Sequence, residues 1–79
     1  MTPEEFRKLH IDKQAAIIWK GLHIGDRQDD EYTILLYRCD NLFIEVYVHR
    51  VRNVIDKFEA FSKDELPNNY IFKTGFSIN

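Results

Sequence analysis

His10, His23 and His49, with the single thiol Cys39, are the residues of this 79-residue chain best suited to metal or nucleophilic chemistry. Their spacing builds neither. The histidine intervals match no zinc pattern, and one thiol has no second sulfur to share a metal or a disulfide with. Cys39 reads as a small buried hydrophobe beside a turn, and His49 as a partly solvated surface residue rather than a base or pH sensor. Asp29-Asp30-Glu31 lacks the glycine and the oxygen spacing of a calcium loop, so it reads as a solvated turn. Glu45 and Glu59 are expected to stand opposite each other. Lys57 and Arg38 nearby neutralise them more simply than a catalytic role would require. Gly21, Gly25 and Gly75 are scattered, which excludes a phosphate-cradling loop, and no serine nucleophile motif occurs. No catalytic, metal or cofactor-binding residue is assigned, and a non-enzymatic protein is expected.

Composition narrows the class. Eleven Lys and Arg against thirteen Asp and Glu leave a net charge of -2, far from the basic footprint of a nucleic-acid binder. The hydrophobic fraction of 44% is too high for a disordered chain. No apolar run approaches the roughly 18 residues of a membrane span. One domain, 1–79, is expected, and with no basic leader ahead of an apolar stretch the cytoplasm is the default. A chain this short buries only about 60% of its unfolded surface, so association with a second copy is a common remedy for marginal stability.

The elements follow from local signals. Thr2-Pro3-Glu4-Glu5 is a helix start with a capping box and Pro at the first position. Phe6 and Leu9 then share one helical side, while Ile11, Ala15, Ile18, Trp19 and Leu22 lie on nearly the opposite side. A break near His10 resolves the conflict, with Asp12 capping a second helix that ends near Lys20 and Gly21 taking the left-handed position beyond it. Ala15, Ile18 and Trp19 are expected to dock on a sheet. Residues 31–39 and 42–50 read as strands around an Asp40-Asn41 turn. That turn sets Cys39 against Leu42, Tyr37 against Ile44, Leu35 against Val46 and Thr33 against Val48. Asn53 suits the left-handed residue of a three-residue loop with a bulge, which places Phe58 by Val46 and Ala60 by Ile44. Leu22 to Arg27 reads as a short edge strand with Leu22 and Ile24 inward and a bulge at Gly25. Ser62-Lys63-Asp64-Glu65 repeats the capping-box pattern, and the apolar tail, Tyr70-Ile71-Phe72 and Phe76, is expected to pack.

The same register builds a second sheet face from Tyr32, Ile34, Leu36 and Arg38, then Phe43, Glu45, Tyr47 and His49, then Ile55, Lys57, Glu59 and Phe61. A face open to water should be polar. This one is mixed, so something is expected to cover it. The cover is the tail through Tyr70 and Phe72, a second copy, or another macromolecule. The candidate interaction face is Tyr32, Ile34, Leu36, Arg38, Phe43, Glu45, Tyr47, His49, Lys57 and Phe61. Aromatic rings beside Arg38, Arg50, Arg52 and Lys57 also give single-stranded nucleic acid as an alternative ligand. The acidic balance, Glu45 and Glu59 within the platform, and the helix-then-strands order count against it.

The stretch from Leu35 to Arg50, with Phe58-Glu59-Ala60-Phe61-Ser62 after it, resembles a class of short bacterial proteins of unknown function. Those open on a Glu-Glu-Phe helix and carry Trp before Gly, here Trp19 and Gly21. They continue with a strand matched by Phe43, Glu45, Val46 and Tyr47, and a Ser-capped turn after Ala60 and Phe61. Arg50 departs from a common Pro, and Leu66-Pro67-Asn68-Asn69-Tyr70 departs from the usual ending. The resemblance implies one domain and no activity. The sequence therefore predicts an α+β domain, with N-terminal helical segments packed on one face of a four-stranded antiparallel meander and a short C-terminal helical turn and tail. It is expected to be a homodimer or to bind an unidentified protein, without cofactor or membrane.

Overall fold

The computed structural model describes residues 1–65 and the backbone of residues 71–72. Two helices, α1 (Pro3–Arg7) and α2 (Ile11–Trp19), precede strands β1 (Leu22–Gln28), β2 (Tyr32–Cys39), β3 (Leu42–His49) and β4 (Ile55–Phe61). A 3₁₀ turn (Lys63–Glu65) and a two-residue strand β5 (Ile71–Phe72) follow. The sheet is antiparallel in the order β4-β3-β2-β1-β5, so the α+β meander predicted from sequence is present with one added strand. Because β5 pairs with β1, β1 is not an edge. Among the described residues, no helix is long and apolar enough to cross a membrane.

Local chemistry explains the boundaries. Thr2 and Glu5 close the capping box, with Glu5 N–H donating to Thr2 Oγ1 at 3.1 Å and Thr2 N–H to Glu5 Oε1 at 2.8 Å. The helix breaks where expected, but the second cap is His10, not Asp12: His10 Nδ1 accepts from the Asp12 N–H at 3.2 Å. Lys20 closes α2. Gly21 is not left-handed; its role is close approach, since a Cβ there would stand 2.5 Å from Cys39 Sγ and 2.9 Å from the Arg38 carbonyl oxygen. Positive φ occurs instead at Asp40 and Asn53, the two hairpin positions. The Ser62 capping box is realised in part: Ser62 N–H and Oγ–H both donate to Glu65 Oε1, at 3.0 and 3.1 Å.

The β2–β3 register is the predicted one at all four core pairs, and Phe58 and Ala60 lie opposite Val46 and Ile44. The helix-side core gathers Phe6, Ile18, Cys39, Leu42, Ile44, Val46 and Ala60. Three expectations about this side are corrected. Trp19 does not dock; it is 90% exposed, and Ala15 is exposed with it. Gln14 explains this: its Nε2 donates to the Phe6 carbonyl at 2.9 Å and holds Gln14, Ile17 and Ile18 toward the sheet. The apolar stripe is thereby rotated outward by about a quarter turn. Leu22 is exposed opposite Arg38, and Ile24, although buried, lies outside the helix-side cluster, because the ladder slips between His23 and Gly25. Ile55 leaves the outer face because a second irregularity falls between Tyr47 and Val48, which pairs Ile55 with Val48.

Candidate interaction surfaces

The middle of the outer face is buried within a single chain, and its margins are not. Ile34 and Leu36 are fully buried, Glu45 is 1% exposed, and Phe43 is buried beside them. Tyr32, Tyr47, His49 and Phe61 are half-buried, while Arg38 and Lys57 are exposed. The expectation that Tyr70 and Phe72 cover this face falls on side chains outside the described residues.

Glu45 is held by a charged network. Arg27 donates through Nε to Glu45 Oε2 at 3.0 Å, and Arg27 Nη2 lies 2.9 Å from the same oxygen. Tyr47 O–H donates to Glu45 Oε1 at 2.9 Å and accepts from Arg27 Nη2 at 3.2 Å. A buried carboxylate needs such partners, because an unpaired one in a low dielectric is strongly unfavourable. Burial first, then donation to Glu45, pushes the Tyr47 phenol up to about 12. Glu59 does stand opposite Glu45, but the cations divide differently from the expectation. Arg27, not Arg38, serves Glu45, while Lys57 lies 3.7 Å from Glu59 and 4.4 Å over the Tyr47 ring. Arg27 was legible only by counting through the bulge, which sets it opposite Ile34 and so beside Tyr47.

The other flagged residues serve structure. His49 Nδ1 accepts from the Val51 and Arg52 N–H groups, at 3.2 and 3.1 Å, and so closes the β3–β4 loop. Its ring meets Tyr32 edge-on. Asp29 Oδ1 accepts from the Tyr32 and Glu31 N–H groups at 2.7 and 2.8 Å, which makes the acidic run a turn and holds its carboxyl below the usual range. Cys39 is buried, and that burial, with Asp40 nearby, pushes its thiol up to about 11. Among the described residues no group of three or more His, Cys, Asp or Glu could hold a metal ion.

Sequence reasoning missed a second surface on the helix side. A groove of about 170 Å³ opens between α2 and β4. Ala15, Ile18 and Trp19 form its helical wall. Leu35, Tyr37, Val46 and Val48 form its floor, and Ile55 and Phe58 its far wall. Trp19 stands at 90% exposure on one side and Ile55 at 58% on the other. Beyond Ile55 and Phe58 lies the sheet edge, because among the described residues nothing pairs with β4 on its far side. The signal was the length of α2: nine residues cannot roof three strands. No family model, curated protein or solved structure matches the chain.

Proposed function

We propose that the chain is a non-enzymatic, cytoplasmic protein-interaction domain that self-associates, with a second copy seated at the helix-side groove. The observation that carries this reading is the exposed Trp19 beside an apolar groove. A cavity of ~150 Å³ lined by aliphatic and aromatic groups accepts a benzene ring, so the groove has room for one aromatic side chain. A surface that offers both a projecting ring and a ring-sized groove suits a two-fold contact, in which each copy meets the same patch on the other. The outer face, named first from sequence, has its aliphatic residues already buried inside one chain, which favours the groove. Trp19 and Ile55, on opposite walls of the groove, are large apolar side chains left open to solvent, which a second copy would cover. A lone free thiol suits a reducing compartment.

Light scattering and sedimentation across the micromolar range test the reading. The wild-type chain is expected to dimerise, and Trp19→Ser to weaken the dimer at least about tenfold with an unchanged circular dichroism spectrum. A strictly monomeric wild-type chain at high micromolar concentration overturns the proposal.

A further inference from the structure

We infer that two copies join by antiparallel pairing of their β4 edges about a two-fold axis at Phe58, so that Lys57 of each copy faces Glu59 of the other. The inference rests on the self-association reading and names its geometry.

Backbone parity selects the centre. The Ala60 carbonyl accepts from Arg7 Nη2 at 3.2 Å, so the Ala60 backbone points away from β3. Residues facing each other across antiparallel strands alternate between bonded and non-bonded pairs. Phe58, two positions away on the same ladder, therefore also turns its N–H and C=O outward. A Phe58–Phe58 pair closes two hydrogen bonds at the axis. Arg7 already occupies the Ala60 carbonyl, so the ladder is short and centred there.

Charge selects the same centre. Lys57 and Glu59 project from the outer face on either side of Phe58, both substantially exposed. With the axis at Phe58, each Lys57 meets a Glu59, twice by symmetry. Moving the axis one residue either way sets Lys57 against Lys57 or Glu59 against Glu59, which is unfavourable. Charges on an edge strand ordinarily discourage pairing; here they reject the neighbouring registers and accept one. The axis runs perpendicular to the sheet, so both grooves open on the same face of the joined sheet. Phe58 meets its counterpart there, with Ile55 beside the junction and Trp19 across each groove from it.

The test uses charge reversal. Lys57→Glu alone and Glu59→Lys alone each place like charges at both crossings, and each is expected to weaken self-association about tenfold. An equimolar mixture of the two variants restores opposite charges at both crossings, and a heterodimer of near wild-type affinity is expected. Changes within one chain cannot produce recovery on mixing. Circular dichroism checks that both variants fold. If the variants self-associate as well as the wild type, or the mixture recovers nothing while the wild type and not Trp19→Ser dimerises, the β4 register is overturned and the groove contact stands. If the wild type is monomeric, both fall.

Discussion

Replacing Gly21 by Ala sets two effects of opposite sign against each other. Gly21 has an ordinary backbone conformation, and there Gly→Ala usually stabilises by ~0.4–1 kcal/mol through the unfolded chain. The new methyl, however, would stand 2.5 Å from Cys39 Sγ, 2.9 Å from the Arg38 carbonyl oxygen and 3.2 Å from that of Ile18. The two oxygens belong to the backbone of β2 and the last turn of α2, so neither retreats without moving an element. Overpacking of this kind destabilises by ~1–3 kcal/mol and wins. The net loss of ~1–2 kcal/mol lowers the melting temperature by roughly 5–15 °C in a domain of this size. Cys39→Ala separates the contributions by removing the sulfur and leaving both carbonyls. Thermal unfolding of the single and double variants forms the cycle, and Gly21→Ala should be less destabilising in the Cys39→Ala background by ~0.5–1 kcal/mol. A Gly21→Ala chain that melts at or above the wild-type temperature refutes the close-approach account.

Two further outcomes follow from the buried titratable groups. With its thiol held at about 11 against the ordinary 9.0, Cys39 should react with iodoacetamide about 100-fold more slowly in the native chain than in denaturant at mildly alkaline pH, as thiolate fraction governs the rate; equal rates would contradict its burial. Tyr47 has its phenol raised from 10.0 to about 12, so the folded state favours the protonated form; its contribution is complete below pH 10 and is lost as pH climbs through 12. Chemical denaturation across that window should show Tyr47→Phe losing less stability than the wild type, and parallel losses would sink the assignment.

The central hairpin was legible because one turn dipeptide and strict alternation act together. Asp40-Asn41 sets the register, and a one-residue slip would expose Tyr37, Ile44 and Val46 at once. The left-handed conformation of Asn53 was legible for a similar reason, but the loop it ends has four residues, 50–53, between His49 and Val54, and not three. The misses share another cause. Ile24 and Ile55 sit where the ladder takes an extra residue, and counting by twos fails across such a point. Arg27 was overlooked as the partner of Glu45 on the same account. Trp19 was misplaced because helix rotation is a tertiary quantity. The apolar stripe of α2 points one way, and the Gln14 bond to the Phe6 carbonyl turns it another.

The irregularity opposite Tyr47 also shapes the helix-side groove. It places two consecutive residues, Asp56 and Lys57, opposite one position of β3. Asp56 is thereby free to accept from the Tyr32 hydroxyl at 2.9 Å and to pair with Arg52 at 2.6 Å. Ile55 passes to the helix side, where it walls the groove facing Trp19. Without the extra residue, Ile55 would join the outer face, and the groove would lose its far wall near the strand's start. The same shift leaves Lys57, Phe58 and Glu59 in unbroken alternation on the edge, the three positions a two-fold partner would read. One inserted residue thus separates an outer face that carries the Arg27–Glu45–Tyr47 network from an inner face whose groove opens toward the far edge of β4, which has no partner among the described residues.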